Sequence, residues 1–140
     1  METLITPRQA NAAVETAKQF VPRRQLAFIK SLFPGEEGQF FKGKMVEYAE
    51  RFETMPKIYE QDGRGMDSTV YLHFFGPGDW YITEKDSEPE QLQAFGYVDL
   101  GYGGEWGYVS LVELSEAGSV ELDLHFTPRP LREVIGDDAS

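Results

Sequence analysis

The sequence predicts an α+β domain in which N-terminal helices pack on a mostly antiparallel meander sheet of about five strands. Three observations predict it. Apolar residues recur at helical spacing as far as Thr54, and from Thr69 onward the chain breaks into short β-rich runs. The links between those runs are mostly too short for the crossovers that parallel strands need. At 140 residues, 41% of them hydrophobic and 14% aromatic, the chain suits one domain with a real core, residues 1–140. It has no cysteine, which excludes disulfides, thiolate metal sites and a cysteine nucleophile.

The helices come first. Thr6 followed by Pro7 pairs a capping residue with proline at the first helical position. Ala10, Ala13, Val14, Ala17 and Phe20 then form an apolar stripe, which Pro22 interrupts. Leu26, Ile29, Leu32 and Phe33 give a second short helix over Arg23–Phe33, ended by Pro34-Gly35. Phe41, Met45, Tyr48, Ala49 and Phe52 mark a third over Gln39–Thr54, stopped by Pro56. Met55–Tyr59 leads into the sheet region, and Gln61–Asp67 reads as a loop by composition.

The expected strands are Thr69–Phe75, Asp79–Thr83, Ala94–Leu100, Trp106–Ser110 and Ser119–Phe126. Gly76-Pro77-Gly78 is a tight link that makes a hairpin of the first two. Between Ser110 and Glu116 the pattern is that of a short helix, with Ser110 as cap, Glu113 three residues on, and Gly118 as the stop. In the last run the period is two without a break. Val120, Leu122, Leu124 and Phe126 face one way, so Glu121, Asp123 and His125 should form a polar row on the other.

Charge narrows the function classes. Residues 1–60 carry nine Lys/Arg and eight Asp/Glu, a net of +1; residues 61–140 carry four and sixteen, a net of −12, together the −11 of the whole chain. Such a surface repels nucleic acid and membranes and attracts basic partners. Direct nucleic-acid binding and membrane association are therefore not expected, and a protein partner with a basic surface is. No apolar run reaches the length of a membrane span, and the N-terminus has neither a basic start nor an apolar signal core. A cytoplasmic location is expected.

Several motifs of the second half occur together in one order. They are Met55-Pro56-Lys57-Ile58-Tyr59; Phe74-Phe75 followed by Pro77; Trp80-Tyr81 with Thr83-Glu84 and Asp86; Phe95-Gly96-Tyr97; Glu105-Trp106-Gly107-Tyr108 with Ser110-Leu111 and Glu113-Leu114; and Asp123-Leu124-His125-Phe126 with Pro128 and Pro130. In these the chain resembles, over roughly residues 55–135, the bacterial domain-of-unknown-function family numbered 2958. Residues 1–54 then look like a helical addition to a β-rich family core, with 136–140 as a tail. The Trp80 strand is shorter than the family's common pattern. The resemblance implies an accessory protein of plasmids, conjugative elements or phage-like regions, often near anti-restriction genes. It carries over no catalytic residue.

Candidate chemistry concentrates on acids and aromatics. A binding surface is expected from Trp80, Glu84, Asp86, Glu105, Trp106, Glu121, Asp123 and His125, because aromatics edged by charge are favoured at interfaces. The plainer reading places Trp80, Tyr81, Trp106 and Tyr108 in the core or on the sheet face. An alternative is a divalent-metal hydrolase site from Glu84, Asp123 and His125, since hard ions take carboxylate and imidazole. A solvated polar face is the preferred reading of that strand, so no metal, cofactor or catalytic residue is expected. His73, among aromatic neighbours, reads as a half-buried packing histidine. Nothing in the spacing of Glu84, Asp86, Glu105 and Glu113 selects an acid–base pair. Gly101–Gly104 lacks the ending of a phosphate loop, and Ser110 has no nucleophile elbow around it. The function expected is thus binding of a protein partner, in its sharp form by imitating nucleic acid in a basic cleft. A structural assembly module is the remaining reading, with a homodimer through a sheet edge or the extra helices compatible with it.

Overall fold

The computed structural model describes residues 4–86, 88 and 92–139. Three helices come first, α1 (Pro7–Ala17), α2 (Arg23–Ser31) and α3 (Gly38–Thr54). Strands β1 (Thr69–Val70), β2 (Leu72–Phe75), β3 (Asp79–Lys85), β4 (Gln93–Asp99) and β5 (Gly104–Ser110) follow. Then come α4 (Leu111–Glu116), β6 (Glu121–Leu122), β7 (Arg129–Pro130) and α5 (Leu131–Ala139). The α+β class and the N-terminal helices are as expected. Thr6 caps α1 in a reciprocal box with Gln9, whose side chain returns to the Thr6 N–H at 2.8 Å. The Ser110 hydroxyl accepts from Glu113 N–H at the start of α4.

The main sheet is antiparallel throughout, in the order β5-β4-β3-β2-β6. Four strands form the meander, with Gly76-Pro77-Gly78 closing the β2–β3 hairpin through Gly76 N–H to Gly78 C=O at 3.0 Å. The fifth departs from a plain meander, because β6 returns past α4 to pair with β2. The run Thr69–Phe75 is also two strands rather than one. β1 pairs with β7 in a separate two-stranded sheet, while β2 enters the main one.

Period two sorts the strands onto two faces, and each carries a core. Leu72, Phe74, Ile82, Ala94 and Val109 face the helices, where they join Val14, Phe20, Ile29, Met45 and Phe52 in one core. Phe20 and Phe52 stack at 4.5 Å between ring centres. Burying side chains of this size stabilises by roughly 1.5–3 kcal/mol each. On the other face Tyr81 packs with Val70, Phe126, Leu131 and Val134 in a second, smaller core. The helix α5 completes that core; the sequence reading leaves residues 131–139 without a helix.

The segment after β6 corrects the expected seven-residue alternation. Its pairing with β2 covers only Phe75 with Glu121 and Phe74 with Leu122, followed by Asp123 N–H to His73 C=O at 2.9 Å. The Asp123 carboxylate then accepts the His125 N–H at 2.9 Å, a turn that ends the extended chain. Two side chains of α3 hold this turn. The buried Tyr48 hydroxyl donates to Asp123 C=O at 2.9 Å and accepts from Phe126 N–H at 3.1 Å, and Arg51 donates to Phe126 C=O at 2.9 Å. The turn carries the chain from the helix-side core, where Leu122 lies, to the outer core, where Phe126 lies. Glu121, Asp123 and His125 therefore do not form one row. Local alternation loses here to the backbone hydrogen bonds offered by Tyr48 and Arg51.

Two expectations follow for stability. A Cβ at Gly96 would sit 2.1 Å from the Tyr81 carbonyl oxygen across the ladder, so Gly96→Ala should destabilise by about 1–3 kcal/mol in urea unfolding. Tyr48→Phe should cost about 1–3 kcal/mol near neutral pH by stranding the turn's polar groups. Burial pushes the Tyr48 phenol above its ordinary value of 10.0. The unfolded chain therefore releases this proton first, and stability falls as pH rises from about 10 through the higher folded value. The wild type should lose stability relative to Tyr48→Phe over that window; a constant difference between the two would contradict the assignment.

Candidate functional site

The outer face of the sheet gathers chemistry in transverse rows set by the register. His73, Tyr81, Tyr97 and Trp106 lie opposite one another across four strands. One pleat along, Glu121, Phe75, Asp79 and Asp99 form the next row. At the far end of β3 the row is Glu84, Phe95 and Tyr108.

Glu84 reaches that row through a β-bulge. The β3–β4 register runs Ile82 with Gly96 and then jumps to Glu84 with Phe95, leaving Thr83 as the extra residue. Without the bulge, Glu84 would follow Trp80 and Ile82 onto the helix side and place a carboxylate against Ala94. The bulge instead puts it on the outer face, where it is 4% exposed and its Oε2 accepts the Gln61 N–H at 3.0 Å. No ion pair to Glu84 occurs among the described residues.

The loop above Glu84 is locked by Gln61. This buried side chain donates to Thr69 C=O and Thr83 C=O, both at 2.9 Å, and accepts from Thr69 N–H at 2.8 Å. The same loop holds Tyr59 at φ 82°, a conformation that costs a non-glycine residue about 1–3 kcal/mol. The residue is 73% exposed, so burial does not explain the strain, and its hydroxyl meets that of Tyr108 at 3.2 Å. That contact first, and the neighbouring charges of Asp86 and Glu84 after it, hold the Tyr108 hydroxyl above its ordinary value and keep it protonated. Phe95 stacks on Trp106 at 5.8 Å and meets Tyr108 edge-on at 5.4 Å. Between loop and sheet lies a cavity of about 350 Å³, floored by Glu84 and walled by Tyr59, Phe95, Trp106 and Tyr108.

A second cluster centres on His73. Its Nε2 lies 2.8 Å from Asp79 Oδ1 and its Nδ1 3.3 Å from Asp123 Oδ2, while the ring stacks on Tyr81 at 4.9 Å. Each ring nitrogen thus has a carboxylate oxygen within hydrogen-bonding distance. The histidine ties the β2–β3 hairpin to the turn after β6, which is more than packing. Its partner Asp79 faces Asp99 across β3 and β4.

The expected surface residues are scattered by this arrangement. Trp106, Glu84, Glu121 and Asp123 are on the outer face. Trp80 is half-buried against the helix-side core, and Glu105 is exposed opposite Val98, on the helix side of the sheet. Asp86 closes a turn by accepting the Glu88 N–H at 2.9 Å, and His125 is exposed beyond its turn. Glu84, Asp123 and His125 are not brought together, and no group of three or more His, Asp or Glu able to hold a metal occurs among the described residues. Tyr59, Gln61, Phe95, Asp79 and Asp99 were not legible as site residues. The alternation of Phe95 with Tyr97 and of Trp106 with Tyr108 is the signal that places four aromatics on one face of adjacent strands.

No protein-family model matches this chain, and no curated protein or solved structure matches it. Among the described residues no helix is long and apolar enough to cross a membrane.

His73→Ala should cost about 1–3 kcal/mol in urea unfolding, by loss of ring packing and of both carboxylate contacts. Asp123→Asn keeps the turn acceptor and should cost less than about 1 kcal/mol, because the pair is partly solvated. Equal losses for the two variants would remove the bridging role of His73.

Proposed function

We propose that this chain is a small acidic accessory protein that acts by binding a basic surface of a protein partner. The observation that carries the reading is the transverse row of Glu121, Asp79 and Asp99 across β6, β3 and β4, beside Asp123. Neighbouring strands lie about 4.8 Å apart, closer than the roughly 6.7 Å between same-face residues along one strand. Asp79 and Asp99, on adjacent strands, thus stand closer than two same-face acids of a single strand, and Glu121 continues the row on the other side of Phe75. In the sharp form of this reading, the partner's basic surface otherwise holds nucleic acid. The family likeness adds a setting, that of a mobile genetic element. A metal-dependent hydrolase draws no support from side chains as scattered as Glu84, Asp123 and His125.

The test uses capture of partners from cell extract by wild-type protein over a series of salt concentrations. A specific partner should be released as salt rises. The double variant Asp99→Lys/Glu121→Lys should lose it by about tenfold or more, while Glu105→Lys, on the other side of the sheet, should retain it. Added DNA or RNA should compete if the cleft is a nucleic-acid site. Capture that is indifferent to salt, or equally strong by Asp99→Lys/Glu121→Lys, would sink the reading.

A further inference from the structure

The cavity at the far end of the outer face has a composition that the acidic strip does not explain. Its lining contains two carboxylates, Glu84 and Asp62, and no lysine, arginine or histidine. Glu84 is almost wholly removed from water with one hydrogen bond, from the Gln61 N–H, and no counter-ion among the described residues. Buried carboxyl groups are ordinarily matched by further hydrogen bonds or an opposite charge close by. Around it stand four aromatic rings, and the faces of such rings carry negative potential that attracts cations. Three of those rings stay substantially exposed, Trp106 at 37%, Tyr108 at 54% and Tyr59 at 73%, so they are available to a ligand. Tyr59, which lines the pocket, has a left-handed backbone that its own burial does not repay.

We propose that this pocket is an aromatic cage for an organic cation, an alkylammonium or guanidinium head seated between Tyr59, Phe95, Trp106 and Tyr108 with Glu84 as its counter-ion. The volume, about 350 Å³, holds such a head with part of its alkyl stem. Selectivity over metal ions follows from the walls. Two carboxylates among aromatic walls fall short of the roughly six to eight oxygen ligands a hard divalent ion takes, whereas a weakly hydrated organic cation gains from rings and charge together. The hydroxyl pair of Tyr59 and Tyr108 closes one side of the cage. The site stands apart from the acidic strip and does not depend on the partner proposed for it. Two sources could supply the cation, a free amine and a lysine or arginine side chain of a peptide.

The probes are n-butylammonium and methylguanidinium chloride, with potassium chloride at equal ionic strength and 1-butanol as the uncharged counterpart. Titration of wild-type protein should give a saturable change in tryptophan fluorescence and in the Trp106 indole resonance for at least one organic cation, and none for potassium or 1-butanol. Glu84→Gln, which keeps an acceptor for Gln61, should weaken binding by about tenfold or more. Tyr59→Gly suits the left-handed backbone, should leave unfolding little changed, and should weaken binding about three- to tenfold. Capped Gly-Gly-Lys-Gly-Gly and Gly-Gly-Arg-Gly-Gly peptides separate the sources: tighter binding than the free cation assigns a side-chain ligand, weaker binding a small amine. The proposal is overturned if no organic cation binds saturably, if 1-butanol binds as well, or if Glu84→Gln and Tyr59→Gly both bind like wild type.

Discussion

A carboxylate set in the apolar helix-side core would be among the most costly arrangements a small protein can contain, and the course of β3 keeps Glu84 out of it. Simple alternation from Trp80 through Ile82 would deliver Glu84 to the helix-side core beside Ala94. The single extra residue at Thr83 turns the strand's end over. What lies at that end of the outer face then follows from where the turn leaves Glu84. It joins the row of Phe95 and Tyr108, draws the Gln61 loop down onto its oxygen, and becomes the floor of a cavity instead of a defect in the core. The bulge residue is itself satisfied, since Thr83 is fully buried and its hydroxyl bonds the Phe95 carbonyl at 3.2 Å.

The two faces of the sheet do different work because they are covered by different kinds of structure. The helix side is closed by regular elements whose apolar stripes match a regular sheet, and it is the larger core. The outer side is closed by a loop, a two-stranded sheet and α5, which together cover Tyr81 but not the β4–β5 end. Incomplete cover leaves rings partly in water. A protein with a core already in hand can carry such a surface, and the strained Tyr59 backbone lies beside it.

Between the faces, the turn after β6 is a crossing point. Leu122 and Phe126 are four residues apart yet belong to different cores, and the chain passes between them under the control of Tyr48 and Arg51 from α3. The first helical segment thus has a role beyond covering the sheet, because it supplies the hydrogen bonds that place Asp123 beside His73. Through that pair, the end of the sheet carrying the acidic strip is tied to the helical layer.

Much of the architecture was decided by residues near one another in the chain. The Thr6 cap with Pro7, the apolar stripes of the three early helices, the Gly76-Pro77-Gly78 hairpin and the Ser110 cap each depend on spacings of a few residues, and the sequence alone determined them. The rest was decided by what lies across the sheet. Nothing local in Asp79–Lys85 marks the bulge, nothing local in Val120–Phe126 shows that Tyr48 and Arg51 will interrupt a perfect alternation, and Leu131–Ala139 acquires its place by docking on the second core. A side chain's face is set by strand register and by the partners competing for its backbone. The site therefore became legible only once the tertiary structure had chosen which carboxylates and rings share a side.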